Sequence, residues 1–381
     1  MRIRISGFLP TAKSIICKEC SLEYHINEVL NRCRVCGGSL DILLDYEEIR
    51  KFILEDFSRE PIWHWKYWMF YPIVDLNKKV TFKEGGTALI KSKFFSNQLG
   101  DLWLKYEGTN PTGSFKDRGS TVEITKAVEL GVKSVCCAST GNMGASVASY
   151  STKAGMGCKI FLPTNVTVQK IKQISIHGAE VVKVNGTYAD AVKKCSEYSQ
   201  KTKTYLVGDY AYRGEGEKSI GFEITDQLNW HVPDFIVCPM GNGTMIYSVW
   251  DAFNDLKQVG LIDKLPKMVG IQSAGCSPIV TAWKNDLDIV PVKKPKTVAS
   301  AIECGDPLDG IKALEALHKS KGFAETVTDK EILEMKKELG RKEGIFAETA
   351  GAVSLAGAIK LKNRLHGTIV CVVTGNGLKE I

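Results

Sequence analysis

Several features common in other protein classes are absent from this sequence of 381 residues. No apolar run is long enough to cross a bilayer, and the N-terminus lacks both a continuous apolar core and a small-residue cleavage site. We therefore expect no membrane partner and no secretory signal. The basic residues form no long run and no recognisable nucleic-acid module, so we expect no nucleic-acid partner. The formal charge of +7 is compatible with attraction of small anionic substrates or with solubility alone.

The motifs of common hydrolases are also missing, because the chain has no GxSxG elbow and no zincin helix, and its six histidines lie outside every motif described below. Of the twelve cysteines, only four are paired at short regular spacing. The other eight lie mostly within or beside apolar segments: Cys136, Cys137, Cys158, Cys195, Cys238, Cys276, Cys304 and Cys371. Reduced, buried thiols of a cytoplasmic protein explain them best.

Two cysteine pairs stand near the start of the chain. Cys17 and Cys20 form one CxxC, Cys33 and Cys36 form a second, and twelve residues separate the pairs. Four thiolates in this spacing can surround one structural zinc ion, which would stabilise a segment too small to build its own core. We therefore predict a zinc ribbon over 1–45. The alternative is a degenerate ribbon that has lost its metal.

The next segment, 61–72, is rich in aromatic residues. It could be imagined as a platform on which nucleic-acid bases stack, but it has few basic neighbours. We expect it instead to pack between the ribbon and the main body of the protein.

From about residue 100 the sequence alternates short apolar runs with Gly-rich turns and helical segments. The predicted strands are 101–107, 134–139, 158–163, 180–184, 234–240, 267–273 and 368–375, and the predicted helices include 118–130, 142–154, 187–202 and 329–343. Short runs rich in Val, Ile and Cys are typical of strands buried on both faces. The alternation predicts an α/β fold with mainly parallel sheets, whose ligands bind at the carboxyl ends of the strands.

A lysine follows the first of these strands in a distinctive segment. Pro111 and Gly113 predict a turn, and a helix is expected to begin near Ser114, which puts Lys116 in its first turn. The positive end of the helix dipole disfavours an ammonium group there. We therefore expect a lowered pKa for Lys116, as an imine-forming or proton-shuttling amine requires.

The segment NPTGSFKDR, residues 110–118, resembles the cofactor-lysine motif of the fold type II pyridoxal-phosphate enzymes, the tryptophan synthase β family. Within that family the chain most resembles the threonine synthases. The resemblance implies pyridoxal 5′-phosphate as cofactor, with Lys116 joined to it as a Schiff base and moving protons at the substrate's Cα and Cβ. It also implies two α/β domains behind the ribbon: a large cofactor-binding domain, 46–111 and 211–381, and a small mobile domain, 112–210.

The segment ASTGN, residues 138–142, resembles the asparagine loop of the family. By itself it is a strand-to-helix turn that offers hydroxyls and backbone N–H groups to an anion, and an ordinary capped turn explains it equally well. The resemblance implies that Ser139 and Thr140 bind the substrate carboxylate. It implies a hydrogen bond from Asn142 to the 3′-oxygen of the cofactor's pyridine ring.

Two further segments resemble parts of the cofactor site. Gly241, Asn242, Gly243 and Thr244 correspond to the loop that holds the cofactor phosphate, although Thr244 and Met245 replace the glycine and asparagine that the family usually has. Thr374 corresponds to the threonine beside the pyridine nitrogen, where a hydroxyl does not enforce a protonated ring. We assign Glu348, between these segments, no catalytic role.

Arg213, in the stretch AYRGEGEKS, aligns with an arginine that binds the substrate phosphate in the family, and Lys218 is expected to assist it. The planar guanidinium suits that task because it can donate two hydrogen bonds to one phosphate. Standing alone, it would be a solvated loop residue. Three departures from the family pattern concern the substrate: Met143 replaces a usual threonine, the stretch containing Glu303 lacks a usual arginine, and the phosphate loop is atypical.

The reduced cysteines predict a cytoplasmic protein, and the resemblance implies a homodimeric enzyme that converts O-phospho-L-homoserine and water to L-threonine and phosphate. One alternative keeps the cofactor and changes the reaction, to that of a serine or threonine dehydratase or a phosphoserine-using synthase. A second alternative is a catalytically silent binding protein of the same fold, against which the intact Lys116, Asn142 and Thr374 argue.

Overall fold

The computed structural model describes residues 11–57, 60–139, 141–164, 166 and 168–381. Its first unit is a small antiparallel sheet of β1 (Ala12–Cys17), β2 (Glu23–His25) and β3 (Leu40–Leu44), in the order β2-β1-β3. Helix α1 (Tyr46–Asp56) follows, and the Asp45 carboxylate caps it by accepting two backbone N–H groups of its first turn. The small sheet lies within the segment predicted as a zinc ribbon.

The rest of the chain forms two sheets covered by helices. The elements are, in order, β4 (Leu89–Lys91), α2 (Ser96–Leu99), β5 (Asp101–Tyr106), α3 (Lys116–Glu129), β6 (Ser134–Ala138), α4 (Asn142–Lys153), β7 (Gly157–Pro163), α5 (Val168–Ser175), β8 (Glu180–Val184), α6 (Tyr188–Thr202), β9 (Tyr205–Val207), α7 (Ala211–Glu217), α8 (Ser219–Gln227), β10 (Phe235–Pro239), α9 (Thr244–Gln258), β11 (Lys267–Ser273), α10 (Pro278–Asn285), α11 (Gly310–Lys319), β12 (Phe323–Val327), α12 (Asp329–Glu338), α13 (Val353–Lys360) and β13 (Thr368–Val373).

The larger sheet has the strand order β12-β11-β10-β13-β5-β4 and is parallel except at β4, whereas the smaller sheet, β8-β7-β6-β9, is entirely parallel. Every residue of β10 is buried, as expected for a central strand that helices cover on both faces. The predicted α/β class with mainly parallel sheets is confirmed. The loops that follow β5, β10 and β13 meet at one edge of the larger sheet, because the carboxyl ends of parallel strands lie together.

All seven predicted strands are present, with ends within two residues of the prediction. The prediction missed three short or edge strands, β4, β9 and β12. It also extended one helix too far: α12 ends at Glu338, and residues Leu339–Glu343 form a π-helical turn that Gly344 terminates with a φ of +69°. A glycine adopts that left-handed conformation without the strain that a side chain would add.

The aromatic segment forms a 3₁₀ helix, His64–Phe70, that packs between α1 and α8. Trp65, Tyr67 and Phe70 are buried there, and the ring centroids of Phe70 and Phe222 on α8 lie 4.6 Å apart. The Phe57 ring at the end of α1 meets Tyr67 edge-on. The prediction that this segment packs against the main body agrees with these contacts, with α1, which follows the ribbon, on its other side.

The cysteines outside the ribbon form no disulfide. Seven of those eight thiols are buried, and Cys158 is half-buried, as predicted for reduced residues of a core. Among the helices that the structure describes, none combines the length and apolar character needed to cross a membrane.

A fully buried ion network joins α3 to the sheet and to α8. The Arg118 guanidinium donates to the Glu107 carboxylate at 2.6 and 2.8 Å and to Glu223 at 2.7 and 2.8 Å. Lys105 on β5 also donates to Glu223, at 2.8 Å. Burial alone raises the pKa of Glu223, but Arg118 and Lys105 outweigh it and hold that pKa well below its usual value.

We predict that Glu223→Gln lowers the free energy of unfolding by about 3–5 kcal/mol, because it leaves two buried cations with one carboxylate. Glu180→Gln should cost at most about 1 kcal/mol, since Glu180 forms an exposed pair with Lys159. Urea unfolding of both variants measures the difference. The lowered pKa of Glu223 also means that its stabilisation is present above its unfolded pKa, about 4.3, and is lost as the pH falls toward the folded pKa. Equal stability of both variants and the wild type contradicts this role.

Candidate active site

The turn that carries Lys116 is fixed at both ends. The Gly113 N–H donates to the Asn110 carbonyl at 2.8 Å across Pro111, and Gly113 has a φ of +83°. The Asp117 carboxylate then accepts the backbone N–H and the hydroxyl of Thr112, at 2.7 and 2.6 Å. These contacts fold the segment 110–117 back on itself, so that α3 begins at Lys116.

The same segment is attached to the end of β13. The Phe115 N–H donates to the Thr374 carbonyl at 3.0 Å, and Ser114 pairs with Gly375 in an isolated antiparallel bridge. Lys116 and Thr374 therefore line one cleft, together with Ser139, Asn142 and the loop after β10. The structure thus brings together residues that are far apart in the sequence.

Two buried carboxylates face the amine of Lys116. Its Nζ lies 3.1 Å from Asp209 Oδ1 and 3.2 Å from Glu217 Oε1. Burial lowers the pKa of Lys116, but Asp209 and Glu217 outweigh it, and the pKa lies above its usual value. Our expectation of a lowered pKa is therefore wrong, because it considered the helix dipole and not the carboxylates that the fold brings to the amine.

The asparagine loop joins β6 to α4. The Ser139 hydroxyl oxygen accepts the N–H groups of Gly141 and Gly144, at 3.0 and 2.8 Å, so it caps α4 and keeps only its own hydrogen for a ligand. Asn142 lies in the first turn of α4 and lines the cleft. Its buried Oδ1 has no hydrogen-bond partner within the described chain, which leaves one end of the amide available. Thr140, predicted to bind the substrate carboxylate, lies outside the described residues.

A buried carboxylate connects two of the predicted cofactor-binding residues. Glu348 accepts hydrogen bonds from Asn142 Nδ2 at 2.6 Å and from the Thr374 hydroxyl at 2.8 Å, and it lines the cleft. Burial raises the pKa of Glu348 above its usual value, against those two hydrogen bonds. The sequence analysis assigned this residue no role. No motif spacing could have revealed it, since its partners stand 206 and 26 residues away.

The loop after β10 leads directly into α9, whose first turn begins at Thr244. Gly243 has a φ of +94°, and a Cβ atom there would lie 2.6 Å from the Asp309 carbonyl oxygen, so only glycine fits. The Thr244 hydroxyl donates to Asp309 at 2.7 Å, and Asn242 Nδ2 donates to Asp209 at 2.6 Å. Both side chains therefore hold the loop in shape. The backbone N–H groups at the start of α9 are the groups that an anion can reach.

Arg213 does not line the cleft. Its side chain is fully buried against α3, where Nε donates to the Glu123 carboxylate at 2.9 Å and the two terminal nitrogens donate to Ser120 and to the Lys116 carbonyl. We therefore correct the prediction that Arg213 binds the substrate phosphate: the residue supports the start of α3. The residues around Arg213 contain no sign of its ion pair with Glu123, because Glu123 lies 90 residues earlier in the chain.

The prediction that Lys218 assists in binding the substrate phosphate is also corrected, because this residue does not line the cleft either. Its ammonium is buried at the start of α8, between the carboxylates of Asp251, Asp255 and Glu215. Met143 and Glu303, two of the departures that concern the substrate, both line the cleft.

The four ribbon cysteines converge around one point. Their Sγ atoms all lie within 4.8 Å of one another, with 3.4 Å between Cys17 and Cys36 and 3.6 Å between Cys20 and Cys33. Four sulfurs bound to one zinc at about 2.3 Å would lie roughly 3.8 Å apart. The donor set and its spacing therefore fit a closed tetrahedral site.

Comparison with known proteins agrees with this geometry. Residues 80–375 match the family model described as "Pyridoxal-phosphate dependent enzyme". The chain is 45% identical over 374 residues to the threonine synthase of Methanocaldococcus jannaschii, covering 96% of this chain and 92% of that protein. It is 44% identical over 373 residues to the threonine synthase of Methanosarcina acetivorans, covering 96% and 91%.

Solved structures of lower identity share the fold. Maize serine racemase superposes with a TM-score of 0.68 at 20% identity, over 76% of this chain and 88% of that one. The processed form of threonine deaminase isoform 2 from Solanum lycopersicum gives a TM-score of 0.66 at 22% identity, over 76% and 83%. These similarities show the fold alone.

We predict that Glu348→Ala weakens pyridoxal phosphate binding roughly 10- to 100-fold, because Asn142 and Thr374 both lose their acceptor. Glu348→Gln should have a smaller effect, since its amide can still bond both partners. The control is Glu380→Ala, which removes a carboxylate bonded to Lys336 and Thr349. Titration of cofactor-free protein, followed by absorbance, measures the affinity. Unchanged affinity in Glu348→Ala contradicts a positioning role.

Proposed function

The chain belongs to the pyridoxal-phosphate dependent enzymes and, within them, to the threonine synthases, and we propose on that basis that it converts O-phospho-L-homoserine and water to L-threonine and phosphate, with Lys116 as the catalytic residue. One observation carries the assignment of the site. Lys116, Asn142, the loop 241–244 and Thr374 line a single cleft at the carboxyl ends of parallel strands. The high identity to named threonine synthases over nearly the whole chain supports the reaction.

The residues of the cleft fit the cofactor. Lys116 would bind its aldehyde carbon, and the backbone amides of 241–244 would hold its phosphate at the start of α9. Asn142 Nδ2 donates one hydrogen to Glu348 and has a second that it could donate to the 3′-oxygen of the ring, and Thr374 would lie beside the ring nitrogen. When bound, the cofactor supplies an electron-accepting ring that stabilises negative charge on the substrate carbons.

Lys116 would act as both base and acid. Once its amine is released from the cofactor, Asp209 and Glu217 favour its protonated form, which makes it a stronger proton acceptor at the substrate Cα. The ammonium that results can return the proton at the neighbouring carbons of the same substrate. Ser139 can donate its hydroxyl hydrogen to the substrate carboxylate, since its oxygen already accepts two N–H groups.

We further propose that the four ribbon cysteines bind one structural zinc ion. The Tyr24 hydroxyl accepts the backbone N–H of Arg34 and lies 3.0 Å from Cys33 Sγ, to which it would donate its hydrogen if Cys33 is a metal-binding thiolate. The ribbon also contacts the main body, because Lys312 on α11 donates to the Leu40 carbonyl at 2.7 Å and to Asp41 at 2.6 Å. The metal would therefore stabilise a surface on which α11 rests.

Three further properties are proposals of the same kind. The small sheet, β6 to β9, would belong to a mobile small domain over 112–210, with the large domain formed by 46–111 and 211–381. A homodimer is what the family implies, and light scattering of the purified protein tests it. A cytoplasmic location agrees with the free, buried thiols.

Assays with two phosphorylated amino acids test the reaction. The proposal expects release of phosphate and formation of L-threonine from O-phospho-L-homoserine, and little turnover of O-phospho-L-serine. The reverse preference would favour a β-eliminating or β-replacing enzyme. Turnover of neither substrate, with no bound cofactor, would favour a silent binding protein.

We predict that Lys116→Ala lowers turnover at least about 1,000-fold, since it removes the group that moves the protons and the attachment point of the cofactor. The absorbance near 410–420 nm (roughly the range of a lysine-bound cofactor) should disappear, while the secondary structure measured by circular dichroism stays that of the wild type. Lys133→Ala, an exposed lysine just after α3, is the control. Borohydride reduction of the wild type should place the cofactor on the peptide containing Lys116, and its recovery on another lysine refutes the assignment.

We predict about one zinc ion per chain in protein purified without chelator, and near-complete loss of zinc in Cys33→Ser. Cys158→Ser, which changes a half-buried thiol outside the cluster, should retain the metal. Elemental analysis measures the zinc content. Wild-type protein with no metal and all four thiols free or oxidised would favour the degenerate ribbon.

A further inference from the structure

Two of the buried lysines lack the direct contact with a carboxylate that the others have. Seven lysines are buried: Lys66, Lys105, Lys126, Lys170, Lys218, Lys312 and Lys379. Five of these have a carboxylate oxygen within 3.3 Å of Nζ. For Lys170 and Lys379, no carboxylate oxygen of the described residues lies within 4.0 Å. An ammonium group buried without an anion is costly unless a ligand supplies the negative charge.

Lys379 is held by neutral oxygens, because its Nζ donates to the Thr112 carbonyl at 2.6 Å and to Gln173 at 2.8 Å. Among the residues that the structure describes, Lys170 has one hydrogen-bond partner, the Ser300 hydroxyl, at 2.8 Å. Lys170 is 8% exposed. Toward the described residues, two of its three N–H donors therefore remain for another group.

The surroundings of Lys170 add positive potential. Its side chain runs along Gly141, and a Cβ atom at that position would lie 2.7 Å from the lysine Cδ and 3.3 Å from Nζ. Gly141 immediately precedes α4, whose N-terminal end carries a partial positive charge. Burial lowers the pKa of Lys379, the carboxylates of Glu348 and Asp117 raise it in part, and the charge of Lys170 lowers it further. An anion bound here would balance the charges of Lys170 and Lys379 and the partial positive charge at the start of α4.

The position lies on the path into the cleft. Lys170 and Ser300 line a groove that continues into the cleft, and Ser300 lines both. Tyr188 and Asn242 are also shared by the groove and the cleft. A ligand held by Lys170 and Ser300 would therefore extend toward Lys116 without crossing the protein.

We propose that Lys170, together with the Ser300 hydroxyl, binds the phosphate group of the substrate and so determines the preference for phosphorylated amino acids. This inference rests on the proposed function and gives Lys170 the task that the sequence had assigned to Arg213. A phosphomonoester carries about two negative charges at neutral pH, which would balance the buried ammonium. Both donors would form charge-assisted hydrogen bonds to it.

The test compares Lys170→Gln with Lys193→Gln, an exposed lysine that lines the same groove. In Lys170→Gln, the KM for phosphohomoserine should rise roughly 10- to 100-fold with a smaller change in kcat, because a charged hydrogen bond to the substrate phosphate is lost. Lys170→Arg should recover part of the loss. Lys193→Gln should stay within about twofold of the wild type. Cofactor content should be equal in all four proteins.

Inorganic phosphate is the second probe, and it does not depend on turnover. Calorimetric titration of the holoenzyme with phosphate should show binding that Lys170→Gln weakens by a similar factor and Lys193→Gln does not. Equal phosphate affinity in the wild type and Lys170→Gln would overturn the inference. A wild type that binds phosphate through Lys170 but turns over no phosphohomoserine would overturn the proposed function and leave the anion site standing. Should Lys170→Gln fail to fold, Ser300→Ala must weaken phosphate binding several-fold, or the inference is lost.

Discussion

Arg118 lies on the first turn of α3, two residues after Lys116, and its buried guanidinium pairs with Glu107 beyond the end of β5 and with Glu223 on α8. Charges buried this deeply stabilise a fold only where their hydrogen bonds are matched, and each nitrogen of this guanidinium has an acceptor. The network therefore fixes the start of α3 against both the sheet and α8. The direction in which the Lys116 side chain points follows from this fixed start of α3. The remaining groups of the cleft are arranged around Lys116.

The cleft combines rigid and adaptable parts. On one side, the segment carrying Lys116 is bonded to the backbone of β13, so Lys116 and Thr374 keep a fixed separation. On the other side, Asn142 belongs to the smaller sheet's layer and reaches this fixed part through Glu348. Glu348 thus connects the two sheets across the site, and the hydrogen bonds from Lys170 to Ser300 and from Lys379 to Gln173 connect them beside it. Movement of one sheet relative to the other would break or remake these hydrogen bonds.

Local patterns in the sequence predicted the strands, the main helices and the loops that meet at the cleft, because buried parallel strands and Gly-rich turns leave signatures within a few residues. The roles of Arg213, Glu348 and Lys170 were not predictable in this way. Each depends on a partner distant in the sequence: Glu123, Asn142 and Ser300. The predicted direction of the Lys116 pKa shift was wrong for the same reason. Asp209 and Glu217, which are distant in the sequence, outweigh the local helix dipole. Short edge strands such as β4 carry too few residues for a clear pattern.

The pairing of Lys116 with Asp209 and Glu217 has a consequence for the proton balance of the site. Covalent attachment of a cofactor would turn the Lys116 ammonium into an imine, and Asp209 and Glu217 would favour the protonated form of its nitrogen. Burial already raises the pKa of Glu217, and its Oε2 has no hydrogen-bond partner among the described residues. Glu217 Oε1 lies 3.2 Å from the amine and is the natural acceptor of its proton. A proton lost from the Lys116 nitrogen can thus stay within the site, so that the total charge of its buried groups would not change.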